Sequence, residues 1–200
     1  MTSGSRFLSW DVDTQVDFID PEGKLYVPGA EAIIGNLQRL TRWAQQQGVL
    51  IVASMDAHLP TDAEFADYPP HCLVGTPGQK KIAGTVLPRH YIVPNRKVEL
   101  ATDLNSYQQV IVEKQATDVF TNPNINDLLA RLGKDREIVV YGVVTEICVD
   151  HAARGLIARG YRVHLVSDAI RHLDAAKAQA TIAAVEESGG RLLTTEEIVK

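Results

Sequence analysis

Three side chains set far apart in the chain, Asp13, Lys114 and Cys148, are of the types that covalent attack on a carbonyl requires. They supply a carboxylate to move a proton, an ammonium to balance negative charge, and a thiol as nucleophile. A second set, Asp56, His58, Glu64 and His71, offers two imidazoles and two carboxylates, which suit a borderline divalent ion such as Zn²⁺, Mn²⁺ or Fe²⁺. Residues two apart in an extended segment project to one side, so Asp56 and His58 reach a common point if the loop returns Glu64 and His71 to it. Each residue also has a plainer reading. Cys148 alone is equally a small buried hydrophobe, Lys114 alone a solvated lysine, and Asp13 one acid among Asp11, Asp17 and Asp20. The second set reads equally as a polar loop with exposed histidines, in which Asp62 and Asp67 are interchangeable acids. Cys72 beside His71 reads as packing, with metal ligation as the alternative, and His90, His151, His164 and His172 as surface or structural residues.

The elements that must position these groups alternate along the chain. Short apolar runs predict strands at Arg6–Val12, Leu50–Met55, Gln109–Glu113, Glu137–Val143, Val163–Ser167 and Arg191–Leu193. Between them, helical spacing predicts helices at Ala30–Gln47, Ile125–Leu132, Glu146–Arg159 and Asp174–Glu187. Near-continuous apolar strands imply a sheet covered on both faces. The expected fold is therefore a three-layer α/β/α sandwich with a mostly parallel sheet of five to six strands, formed by residues 1–200 as one domain. In such a sheet ligands bind beyond the carboxyl ends of the strands, and Asp13, Asp56, His58, Lys114 and Cys148 each fall near a strand's carboxyl end. Cys148 is expected in the first turn of its helix, where free N–H groups and the helix dipole favour thiolate. The proline-rich segment from Ala57 to Asn105 breaks the rhythm and is expected to be irregular and functional.

Composition narrows the partners. The 200 residues carry 20 Lys plus Arg against 25 Asp plus Glu, a net charge of −5 with no basic block to follow a phosphate backbone. Nucleic acid is not expected as a partner. No apolar run approaches the ~20 residues that span a bilayer, and the start of the chain lacks the pattern of a signal peptide, so no membrane partner and a cytoplasmic location are expected. Two widely spaced cysteines match no disulfide framework and are read as separate thiols.

Four patches carry a resemblance. They are Asp11-Val12-Asp13-Thr14-Gln15-Val16-Asp17-Phe18; Asp56-Ala57-His58 continuing to Tyr68-Pro69-Pro70-His71-Cys72-Leu73-Val74-Gly75-Thr76-Pro77-Gly78; Lys114; and Gly142-Val143-Val144-Thr145-Glu146-Ile147-Cys148-Val149. On these the chain resembles the isochorismatase-like cysteine hydrolases, and among them the nicotinamidases. The resemblance implies a catalytic set of Asp13, Lys114 and Cys148, and metal ligands Asp56, His58, Glu64 and His71, with Zn²⁺ ahead of Mn²⁺ or Fe²⁺. It further implies an oxyanion hole at the N–H groups of Thr145 and Cys148, a cis peptide before Thr145, and a substrate pocket with Phe18, Tyr68, Val144 and Ile147. The implied activity is hydrolysis of nicotinamide to nicotinate and ammonia in pyridine nucleotide salvage, by a protein of a family that often self-associates. Departures at Val16, Tyr68, Glu64, Ile147 and Asp118-Val119-Phe120-Thr121 bear on substrate more than on chemistry. The competing readings are a cysteine hydrolase of another small amide or carbamoyl compound, an isochorismatase-type hydrolase that needs no metal, a metallohydrolase using metal-activated water and, ranked last, a binding module that keeps the fold without chemistry.

Overall fold

A computed structural model describes residues 6–200. Seven strands form one wholly parallel sheet: β1 (Phe7–Val12), β2 (Ile51–Asp56), β3 (His90–Val93), β4 (Gln109–Lys114), β5 (Glu137–Val143), β6 (Arg162–Arg171) and β7 (Arg191–Leu193). Their order is β3-β4-β2-β1-β5-β6-β7. The sheet is one strand wider than the five to six expected. The additional strand, β3, lies inside the segment read as irregular, and its residues alternate too weakly in burial to stand out among prolines and charges.

Alternation along the central strands builds the two cores. In β5, Ile138 and Val140 face one side with Leu128 and Ala153, whereas Val139 and Tyr141 face the other with Leu37 and Leu40. Six helices complete the layers: α1 (Val16–Ile19), α2 (Ile34–Gln47), α3 (Ile125–Leu132), α4 (Asp150–Ala158), α5 (Ala175–Glu187) and α6 (Thr195–Val199). Helix α2 buries Leu37, Leu40, Thr41 and Ala44 at helical spacing and stops where Gly48 turns left-handed, φ 63°. Its predicted first turn, Ala30–Ile33, is a separate 3-10 turn. Asp174, expected inside α5, is its N-cap and accepts the N–H groups of Ala176 and Lys177. The short helices α1 and α6 were not expected, because four or five residues are too few to show a helical period.

Register explains why the functional side chains converge. Strands β4, β2, β1 and β5 are adjacent, Asp56 pairs with Lys114, and Val12 pairs with Gly142, so these strands end along one rim. Gly142 is required there: its φ is 121°, and a Cβ would lie 2.0 Å from the Val12 carbonyl oxygen. Gly142→Ala is expected to destabilise the protein by about 2–4 kcal/mol, combining backbone strain with overpacking, as measured by urea denaturation.

Candidate active site

Asp13 follows β1, Lys114 closes β4, and Cys148 sits in the π-helical turn Thr145–Val149 that joins β5 to α4. The rim brings all three together. Lys114 Nζ lies 3.0 Å from Asp13 Oδ2 and donates to Cys148 Sγ at 3.8 Å, while a short hydrogen bond ties it to Asp56 Oδ1. Ser54 Oγ donates to Asp13 Oδ1 at 2.7 Å. The side chains of Asp13, Asp56 and Lys114 are about 1% exposed, so their charges answer to one another rather than to water.

Those charges set the proton positions. Burial pushes the Lys114 ammonium toward neutrality, yet Asp13, Asp56 and Cys148 outweigh it and raise its pKa well above the usual lysine value. Burial raises the Asp13 carboxyl above the ordinary carboxylate range against the pull of Lys114. Asp56, equally buried, is held well below that range by Lys114 and the two neighbouring imidazoles. For Cys148, burial dominates, Lys114 opposes it, and Asp13 and Asp56 add to it, so the thiol pKa stands well above its ordinary value. The expectation of a thiolate favoured by its helix start is thereby corrected: low-dielectric surroundings and two carboxylates outweigh the N–H groups of the turn. Cys148 thus carries a thiol of raised pKa beside an Asp13 carboxyl of raised pKa.

The second set also assembles. One ligand atom from each of Asp56, His58, Glu64 and His71 lies within 4.8 Å of all the others. His58 Nε2 is 3.6 Å from Asp56 Oδ2 and 3.7 Å from Glu64 Oε1; for His71 Nε2 the distances are 3.5 and 3.7 Å. Ligands held at ~2.0–2.1 Å around a tetrahedral ion stand roughly 3.3–3.4 Å apart, close to this spacing. Both Nε2 atoms are buried without a hydrogen-bond partner among the described residues, whereas both Nδ1 atoms have one: Asp62 Oδ2 at 3.0 Å for His58, and the Pro69 carbonyl at 2.8 Å for His71. An acceptor at Nδ1 fixes the proton there and leaves the Nε2 lone pair directed at the shared point, the tautomer a metal requires. The donor set fits a divalent cation. Asp62, read from sequence as interchangeable with the ligands, instead orients one of them, and Asp67 stays outside the group.

An open cleft reaches both Cys148 and the ligand group. Phe18, Tyr68, Val144 and Ile147 line it together with Cys148, His71, Asp56 and Glu64. Leu25, Val27, Thr117 and Leu173 also line it; they come from loops whose sequence carries no period or motif to reveal them. Gln15 is another unanticipated contributor, its side-chain amide accepting the Asp56 N–H at 2.7 Å and donating to the Asp56 carbonyl at 2.9 Å. Thr145 is buried, with its hydroxyl on the Arg171 carbonyl at 2.9 Å. The cis peptide lies between Val143 and Val144, one bond earlier than the resemblance implied. Cys72 and Cys148 are both free, and Cys72 is fully buried, consistent with packing. His164 is structural, bonded to Glu137 Oε2 at 2.9 Å and accepting the Arg191 N–H.

Residues 11–197 match the isochorismatase domain, and the chain belongs to that family of α/β hydrolases. It is 28% identical over 183 residues to the nicotinamidase/pyrazinamidase of Mycobacterium tuberculosis, covering 88% of this chain and 90% of that protein. Isochorismatase family protein 2B of Dictyostelium discoideum is 26% identical over 136 residues, covering 64% of this chain and 62% of that protein. The pyrazinamidase of Pyrococcus horikoshii, solved in complex with zinc, superposes with a TM-score of 0.75 at 25% identity, covering 95% of this chain and 99% of that one.

Calorimetric titration with Zn²⁺ tests the metal geometry. Asp62→Ala, which frees the His58 ring without removing a ligand, is expected to weaken binding about 10- to 100-fold, whereas Cys148→Ala leaves affinity unchanged.

Proposed function

We propose that this protein is a metal-dependent cysteine amidohydrolase that converts nicotinamide and water to nicotinate and ammonia. The observation that carries the reading is that Cys148, backed by the buried Asp13 and Lys114, opens onto the same cleft as Asp56, Glu64 and His71 of the four-residue ligand group. A flat, uncharged heteroaromatic amide suits that cleft: Phe18, Tyr68, Val144 and Ile147 offer apolar surface to its ring, and its carboxamide faces sulfur. We assign Asp56, His58, Glu64 and His71 as the residues that would hold the ion, with Zn²⁺ first. When bound, the ion supplies a Lewis acid toward the ring nitrogen, which orients the substrate.

The chain's own groups carry the chemistry. Asp13 takes the proton of the neutral Cys148 thiol as the sulfur attacks the carboxamide carbon, forming the S–C bond and pushing an electron pair onto oxygen. Backbone N–H groups of the turn, with Thr145 and Cys148 as the assigned pair, stabilise that oxyanion. Protonated Asp13 then gives its proton to the nitrogen, the C–N bond breaks and ammonia leaves a thioester on Cys148. Water enters, Asp13 accepts one of its protons as the oxygen attacks the thioester carbon, and the C–S bond breaks. The departing thiolate takes that proton back from Asp13 to restore the thiol, and the acid loses its own proton to solvent to leave nicotinate. Lys114, whose own pKa is raised well above the usual lysine value, stays cationic and draws the Asp13 pKa down, offsetting part of the rise that burial causes.

Cys148→Ala is expected to abolish ammonia release from nicotinamide while retaining full metal content; substantial residual turnover would refute the thioester route. Nicotinamide and pyrazinamide are expected to be hydrolysed well ahead of aliphatic amides, and a chelator to stop all of it, as read by ammonia release. Asp13 must be ionised to act, and its pKa is raised. Activity is therefore expected to fall as pH drops through that raised value, so the acid limb of kcat/KM lies above the ~4 of an ordinary carboxylate.

A further inference from the structure

Behind the reactive cluster lies a second buried ion pair that the proposed chemistry does not use. Lys81 Nζ is 3.2 Å from Asp11 Oδ2, and both side chains are about 1% exposed. Asp11 Oδ1 accepts the Thr14 hydroxyl at 2.8 Å, and Lys81 Nζ donates to the Ser54 carbonyl at 3.4 Å. That carbonyl also accepts the Asp13 N–H at 3.3 Å, while the Ser54 hydroxyl donates to Asp13 Oδ1. Ser54 thus grips Asp13 by main chain and carboxylate together, and is itself tied through Lys81 to Asp11.

Asp13 needs such a grip. Its φ is 48°, in the left-handed region that a residue with a side chain keeps only where its surroundings over-determine it. A buried ion pair, moreover, adds little stability over apolar groups of the same volume, so stability alone does not account for Asp11 and Lys81. With Oδ1 occupied by Ser54, Oδ2 is left for proton transfer; it is buried, lacks a well-aligned donor among the described residues, and lies beside Lys114.

We propose that Ser54, braced by the buried Asp11 and Lys81 pair, is a positioning residue that aims Asp13 Oδ2 at the Cys148 thiol. Without the hydroxyl the carboxylate rotates, Oδ1 competes for Lys114, and proton transfer slows while the cleft still binds the ring. The inference rests on the reading of Cys148 as nucleophile and Asp13 as its base.

The test compares the whole protein with Ser54→Ala, Ser54→Thr and the paired variant Asp11→Leu with Lys81→Met. For each, kcat and KM for nicotinamide, the rate of Cys148 alkylation by iodoacetamide, and the melting temperature are measured. Ser54→Ala is expected to lower kcat about 10- to 100-fold at unchanged KM, to slow alkylation in parallel, and to be rescued by Ser54→Thr, which restores the hydroxyl. The paired variant is expected to lose about 10-fold in kcat. Wild-type kcat and alkylation in Ser54→Ala would overturn the proposal, as would a loss that Ser54→Thr does not restore. If the paired variant fails to fold, the Ser54 variants decide. Should the unsubstituted protein alkylate at Cys148 yet hydrolyse no amide, the nicotinamide reading falls, and the alkylation rates alone judge the role of Ser54.

Discussion

The site is organised around one buried cation. The Lys114 ammonium sits among Asp13, Asp56 and the Cys148 sulfur, with almost no water to screen it. In such surroundings a lone charge is costly, and so is each carboxylate that neutralises it. The arrangement persists because each group makes the others tolerable. Remove the ammonium, and two buried carboxylates face each other across a gap that only protonation could relieve. Its placement follows from the pairing of β2 with β4, where Asp56 and Lys114 stand opposite at the last rung.

Asp56 links the two halves of the rim, turning one oxygen to Lys114 and the other to the imidazoles of His58 and His71. Counting Asp13, Asp56 and Glu64 against Lys114, the ionised groups sum to a surplus of two negative charges. A divalent cation would cancel that surplus, and the two buried Nε2 atoms directed at the shared point have no hydrogen-bond partner among the described residues. Cation binding and triad ionisation are therefore one electrostatic problem: an ion beside Asp56 weakens the negative field that Asp13 and Cys148 experience. The apolar cleft adds to this, since the burial that raises the Cys148 thiol pKa also strengthens the charge interactions around it.

Much of this was legible before any fold was known. Strand and helix positions followed from apolar periodicity, and Ile125–Leu132 came out to the residue because its caps and period agree. The strand-end rule gathered Asp13, Asp56, Lys114 and Cys148 onto one rim, and the spacing of Asp56 and His58 pointed to a shared ligand point. Strand β3 stayed hidden because four residues at the sheet edge, with His90 and Ile92 exposed and only Tyr91 and Val93 turned to the core, are too few to show a period among prolines and charges. Leu25, Val27, Thr117 and Leu173 stayed hidden for a different reason: loops meet at the cleft by tertiary packing, which local sequence does not encode.

The amino-acid order by itself determined the parallel layered architecture, the residue types available for chemistry and the strands that carry them, because periodicity and side-chain character are local properties. Tertiary structure alone decided the ionisation of those residues. Whether Cys148 rests as thiol or thiolate, whether Asp62 binds or orients, and which of the acids near β1 face Lys114 and which face Lys81 depend on distances and burial among segments far apart in the chain. Coulomb energies and desolvation act through space, so they become defined only when the fold fixes that space.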